Sequence, residues 1–350
     1  MNVAAYFLLA ALVAGYVLLD GYDLGMGSVL LFVAREERER RAALASIAPF
    51  WDGNETWLVV TGAALFALFP QIYASAFSGF YLPFIFVLWL LMGRGISFEI
   101  REMIDDPLWH AFWDAVFAAC SALLVFLLGI ALGNVVRGVP ISHGIYFLGF
   151  FTVLLNPYAV GVAVLAVLAI AQHGAAHLCA RVDGGPVVRR SASAVSRLFP
   201  AVAACWIVLS AATFAVRPPG TFGLPILGGI GAAIALGGLV TLRLALARGR
   251  YEAAFRGSSA FLAGLLISAA ATTYPYLLPG YPDPRSGLDV FRYAPGDASL
   301  RAALTFLLIG LVLLAVYRTF LARRRRERVC TDALRGMRLV RRSDRVVRNR

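Results

Sequence analysis

The sequence holds no lysine. Its 32 basic residues are all arginine, set against 20 acidic ones, and the formal charge is +12 over 350 residues. A GC-rich coding sequence accounts for the missing lysine as well as any function does. The surplus does not point to nucleic acid, because the arginines stand between apolar runs and in one C-terminal tail. Charge of either sign is scarce at 15% of residues, while 60% are hydrophobic and mean hydropathy is +0.76. A soluble domain of this length carries more charge, so the chain reads as an integral membrane protein. Cysteine is sparse too. Cys120, Cys179, Cys205 and Cys330 show no paired spacing, which leaves no sign of a disulfide framework, a zinc site or a C-x-x-C-H haem attachment. The first apolar run, 3–33, is too long for a signal-peptide core and lacks a basic n-region, so it reads as a first membrane helix.

What is present is a series of apolar runs. Nine spans are expected, near 3–33, 50–74, 78–100, 110–133, 157–181, 198–216, 223–247, 258–278 and 299–321, each close to the ~17–25 residues a bilayer requires. Arginines in the connections set the orientation. Only Arg137, Arg217, Arg285, Arg292 and Arg301 fall on one side, and the other 27 of the 32 fall on the opposite side. The N-terminus is therefore expected outside and the C-terminus in the cytoplasm. The outer segment 279–297, rich in Pro, Gly and Asp, reads as an ordered loop without regular structure. The tail after Arg323 reads as a basic cytoplasmic segment that touches solvent or membrane lipid.

Ionisable groups within spans are costly and usually face a protein interior or a wet cavity. Six acids gather at the arginine-rich end of the first four spans: Asp20, Asp23, Asp52, Glu55, Glu99 and Asp114. Helix capping suffices for Glu55 or Asp114, since acids at a helix N-terminus gain ~0.3–1 kcal/mol from the macrodipole. It does not suffice for Asp20 and Asp23, which lie toward the C-terminal end of span 1. Asp20 and Asp23 share a helix face, as do Asp52 and Glu55. Arg94 and Glu99 are five apart, a poor spacing within one helix, so Arg94 is expected to pair with Asp23 or Asp52 on another helix. Gly21 and Gly25 form a small-xxx-small pair that lets a second helix approach. His173 and His177 share a face of span 5. With no third ligand evident there, they read as packing histidines rather than a metal or haem site. Trp57 is the aromatic best placed to line a passage for an apolar gas.

Asp20-Gly21-Tyr22-Asp23-Leu24-Gly25-Met26-Gly27, Trp51-Asp52-Gly53-Asn54-Glu55-Thr56-Trp57 and Arg94-Gly95-Ile96-Ser97-Phe98-Glu99 together resemble subunit II of cytochrome bd-type quinol oxidases, in particular the cyanide-insensitive branch. Leu154-Leu155-Asn156-Pro157 and Tyr274-Pro275-Tyr276-Leu277-Leu278-Pro279 extend the resemblance through the later half. The resemblance implies an all-α fold of two four-helix bundles plus one peripheral helix. Here that gives units of 1–134, 135–280, 281–322 (outer loop and ninth helix) and 323–350 (basic tail). It implies a subunit without cofactor, paired in the bacterial inner membrane with a haem-bearing subunit I, with small single-span subunits as further partners. Haems b and d would sit in subunit I, with quinol as electron donor to dioxygen. By the same resemblance, Asp23 and Asp52 belong to a proton route from the cytoplasm, with Asp20, Glu55 and Glu99 beside it, and Trp57 stands near oxygen access. The competing expectation is a proton-coupled secondary transporter, against which stands the lack of a matching acidic set in spans 5 to 8. A purely structural scaffold would tolerate loss of the carboxylates.

Overall fold

In the computed structural model, which describes residues 1–142, 146–147 and 151–324, backbone hydrogen bonds close almost entirely within helices. A bilayer forces that choice, because lipid offers no partner to an open N–H or C=O. The chain runs α1 (Asn2–Val33), α2 (Glu37–Ile47), α3 (Trp51–Leu68), α4 (Pro70–Gly79), α5 (Tyr81–Ile100) and α6 (Pro107–Arg137). A single turn, α7 (Phe151–Leu154), precedes α8 (Pro157–Arg181), α9 (Gly185–Val216), α10 (Pro225–Ala247), α11 (Tyr251–Thr273) and α12 (Asp297–Arg324). Among the described residues, eight of these helices are long and apolar enough to cross a membrane: α1, α5, α6 and α8 to α12.

The second expected span, 50–74, is divided into two helices. Phe69 leaves the helical region (φ −145°, ψ 68°), because the ring of Pro70 disfavours helical backbone in the residue before it. Pro70 then opens α4, where its missing N–H costs nothing. Two other boundaries also shift. The sixth span begins at Gly185 instead of 198 and passes through Pro200 without ending. The outer loop is not wholly irregular, since β1 (Tyr276–Leu278) pairs antiparallel with β2 (Leu288–Asp289). The expected basic tail beyond Arg324 lies outside the described residues.

Helix ends carry recognisable stop and start chemistry. Asn156 caps α8 by accepting from the Ala159 N–H, with Pro157 at the first helical position. The cap of α6 is Asp106, whose carboxylate accepts from the N–H groups of Leu108 and Trp109. α2 opens with a capping box between Glu36 and Glu39. α6 ends at Gly138, whose φ of +103° suits only glycine and turns the chain back beneath the outer loop. There Val139 and Pro279 share a backbone hydrogen bond of 2.9 Å.

α1, α3, α5 and α6 gather into a first bundle, α8 to α11 into a second, and α12 rests on α3. Between α3 and α12 lies an apolar groove of about 710 Å³. The two bundles share one core. It runs from Leu24 and Leu30 on α1, through Phe117 and Leu124 on α6 and Ile170 on α8, to Leu239 and Phe261 on α10 and α11. The closest approach is where α1 crosses α8. A Cβ on Gly25 would stand 2.8 Å from the Gly174 nitrogen and against the Ile170 carbonyl, so neither glycine has room for a side chain. The small-residue pair foreseen on α1 thus has its partner on α8.

Candidate functional site: a buried carboxylate network at the arginine-rich end

Asp20 and Asp23, one turn apart on α1, are both fully buried. Arg94 on α5 donates from Nη2 to Asp20 Oδ1 at 2.9 Å, and Nη1 lies 3.4 Å from Asp20 Oδ2. The carboxylate that Arg94 pairs with is therefore Asp20, not Asp23 or Asp52 as the spacing suggested. The rings of Trp51 and Phe117 lie 5.9 and 6.0 Å from its guanidinium carbon and orient it. Glu55 approaches the same arginine to 3.9 Å, with its side chain 27% exposed, so it links the buried pair to the surface of the chain. Asp23 lies in a second cluster. The Asn54 amide nitrogen donates to Asp23 Oδ2 at 2.7 Å and to the Tyr22 hydroxyl at 2.6 Å.

The remaining candidates are placed differently. Asp52, in the first turn of α3, and Glu99, on α5, are exposed on this chain. Trp57 does not point outward. Its ring lies over Gly15, where a Cβ would stand 2.5 Å from Cε3, and so fills the crossing of α1 and α3. The histidines pack as expected. His173 bonds Ser258 Oγ at 2.7 Å and the Leu18 carbonyl at 3.3 Å. His177 stacks on Tyr22 with ring centroids 4.3 Å apart.

Asp114 is not a cap. It is buried well inside α6, where Arg101 Nε bonds Oδ1 at 2.6 Å and Arg40 Nη1 bonds Oδ2 at 3.1 Å. A lone buried charge costs several kcal/mol, so two guanidiniums from other helices are the condition for its burial. Arg101 also bonds Glu37 at 2.8 Å and Glu102 at 2.6 Å, and Arg41 bonds Glu37 at 2.6 Å. α2 is thereby clamped onto the ends of α5 and α6. Beside the clamp lies a cavity of about 330 Å³, lined by Glu37, Arg40, Asp105, Pro107 and His110. Partial burial pushes the Glu37 carboxyl up, but the hydrogen bonds from Arg41 and Arg101 outweigh it and hold the group below its usual value. Burial likewise pulls the Arg101 guanidinium down, and Asp114 and Glu37 more than reverse it. Glu39 pairs with Arg190 at 2.5 Å, which ties α2 to α9 as well.

Sequence reasoning missed Asn54, Tyr22, Arg101 and Arg40. Asn54 and Tyr22 were within reach, because both stand inside the two motifs that carry the acids. Nothing local marks Arg101 or Arg40 among 32 arginines.

An all-helical, multi-pass membrane protein with paired acids and arginines buried at one end of its first bundle is the class that this fold and site define. The chain matches, over residues 1–324, the family described as cytochrome bd terminal oxidase subunit II, and it belongs to that family. It is 36% identical over 221 residues to the cytochrome bd-I ubiquinol oxidase subunit 2 of Escherichia coli K12, a match covering 61% of this chain and 58% of that relative. The cytochrome bd ubiquinol oxidase subunit 2 of Bacillus subtilis is 37% identical over 179 residues, 51% of this chain and 53% of the relative. A probable cytochrome oxidase subunit 2 of Haemophilus influenzae is 29% identical over 343 residues, 89% of this chain and 90% of the relative. Among solved structures, the bd oxidase of Geobacillus thermodenitrificans shares the fold, with a TM-score of 0.74 at 19% identity, over 92% of this chain and 97% of the other. Family and helices together make this a multi-pass protein of the bacterial inner membrane.

Proposed function

We propose that this chain is the subunit II of a bd-type terminal oxidase, bound to a haem-bearing subunit I and carrying part of a proton route from the cytoplasm for the reduction of dioxygen by quinol. The observation that carries this reading is the burial of Asp20 and Asp23 at one level of α1, with Glu55 reaching from their arginine to the surface. Carboxylates so placed need a use, since apolar residues would fill the same space at less cost. Asp52 and Glu99, exposed on this chain, serve as collecting groups at the mouth of the route. Glu55 and Asp23 carry it inward, and Asp20 holds Arg94 beside it. Trp57, packed between α1 and α3, would border oxygen access from within the bundle.

Among the described residues, His173 and His177 do not offer themselves to a haem. Both ring nitrogens of His173 are hydrogen-bonded, and the His177 ring is covered by Tyr22 and Phe255. Haem chemistry is accordingly assigned to subunit I, and this chain supplies support and proton delivery. Units 1–134 and 135–280, with 281–322 and the tail 323–350, remain our division of the chain, although the two bundles share one core.

The test is quinol-driven oxygen uptake by the whole complex carrying Asp23→Asn or Asp52→Asn. Slowed turnover with full haem content is expected. Unchanged turnover in Asp23→Asn would remove the proton route from this chain, and in Asp52→Asn would remove Asp52 from the route.

A further inference from the structure

Where Gly25 meets Gly174, the backbones of α1 and α8 touch, and the next turn of α8 slides His177 beneath Tyr22. The two rings stack at 4.3 Å with 8° between their planes, and Phe255 of α11 closes in edge-on at 5.4 Å. His177 is 3% exposed, yet apart from the Ser46 backbone at the edge of hydrogen-bond reach its ring nitrogens find no partner among the described residues. His173, one turn earlier on the same helix, has both of its nitrogens bonded. The Ser46 backbone, near the end of α2, faces the His177 ring, and Arg181 and His173 are the charged or titratable groups nearest it on its own helix. On the far side of Tyr22 the same deficit recurs. Asn54 holds the Tyr22 hydroxyl and the Asp23 carboxylate on one amide nitrogen, at 2.6 and 2.7 Å, while its own Oδ1 is buried with no partner. Buried polar atoms are almost always satisfied, and when protein does not do it an ordered water does.

We propose that His177 seats buried water, and that His177, this water, Tyr22 and Asn54 form a second proton inlet from the α2 end to Asp23, separate from Glu55. This rests on the reading of Asp23 as part of a proton route. A neutral imidazole accepts at one nitrogen and donates at the other, so the ring can take up a proton from the seated water at one nitrogen as the other nitrogen releases one toward Tyr22. The Tyr22 hydroxyl passes its proton on as it receives one. Asn54 moves no proton. It sets the hydroxyl and the carboxylate within reach of a single bridging water, and Asp23 ends protonated. No electrons move; each passage leaves the imidazole as its other tautomer, and proton exchange with the seated water restores it before the next.

The experiment uses the whole oxidase complex with His177→Phe, which keeps the stacked ring and removes both nitrogens, beside Asp23→Asn. Turnover in His177→Phe is expected to fall about tenfold, short of the ~10²–10⁴ that positioned proton transfer can contribute, because Glu55 still feeds the route. Haem content should stay full, and the solvent deuterium isotope effect should rise. Added imidazole should restore turnover to His177→Ala, a result that a packing role would not produce. If His177→Phe leaves turnover and isotope effect unchanged while Asp23→Asn slows the enzyme, the inlet is wrong and the proton route stands. If neither variant has an effect, the reading of Asp23 fails and the inlet with it. A high-resolution map of the complex serves where variants do not assemble. Density for water within hydrogen-bond distance of His177 is expected, and a ring in dry contact on every side overturns the proposal.

Discussion

The Asp20–Arg94 pair gives the sharpest quantitative test. Both side chains are essentially inaccessible, at 0% and 1%, and their closest contact is 2.9 Å. Removing one member leaves the other as an uncompensated buried charge, which typically costs 3–5 kcal/mol. Arg94→Gln strands Asp20 entirely and should cost near the upper end of that range. Asp20→Asn strands Arg94, but Glu55 at 3.9 Å can move toward it, so the cost should fall near the lower end, about 3 kcal/mol. The double variant Asp20→Asn/Arg94→Gln carries no charge and retains two groups able to hydrogen-bond each other. Its loss should be smaller than the sum of the two single losses by about 2–3 kcal/mol, at the top of the range for directly contacting residues. Thermal unfolding of the purified complex reads this. The single variants should melt roughly 6–10 °C below the parent, taking ~2 °C per kcal/mol for a chain of this size. Strictly additive losses would refute a pairing of Arg94 with Asp20, and an equal penalty for both singles would refute the part given to Glu55.

Three further outcomes follow from the packing and the clamp. Gly25→Ala should destabilise the complex by about 1–3 kcal/mol through overpacking against α8, whereas Ser28→Ala, which loses only a bond to the Leu24 carbonyl, should cost under about 1 kcal/mol, and unfolding midpoints compare the two. The Glu37 carboxyl is held below its usual value of 4.5, so its stabilisation is complete above that value and lost as pH falls through the lowered one. Proteolysis of α2 followed downward from pH 6 should therefore accelerate below about 4.5 in the parent and lose that step in Glu37→Gln. Asp114→Asn should cost about 3 kcal/mol, near the lower end of the range for a broken buried pair because Arg101 keeps Glu37 and Glu102, while Glu99→Gln, on the surface, should stay within about 0.5 kcal/mol in the same unfolding assay.

Much of the fold was legible because bilayer physics leaves few options. A run of some twenty apolar residues bounded by arginines can only span, and α8 announced its start through Asn156-Pro157. The break at Phe69–Pro70 was half legible. Proline marks a disturbance, but whether the chain kinks or starts a new helix depends on what α4 packs against. The extension of α9 to Gly185 was hidden because 185–197 is polar, and hydropathy detects membrane depth rather than helicity. The strand pair of the outer loop was hidden for a related reason. Two short strands with two paired positions leave no periodicity to read.

The acids divide along a line that spacing could not draw. On one helix, i and i+3 establish a shared face, yet Asp20 and Asp23 share a face and go to different partners, one to a guanidinium and the other to an amide. What separates them is the identity of the residue that the third dimension brings up, Arg94 from α5 or Asn54 from α3. The same reasoning corrects Asp114. A carboxylate a few residues into an apolar helix looks like a dipole partner until two arginines, 13 and 74 positions away, are seen to converge on it. A charge matched by fixed guanidiniums at 2.6–3.1 Å favours permanence, which suits a clamp. By these contacts Asp20 and Asp114 belong to the scaffold of the site, and the proposed proton delivery turns on Asp23.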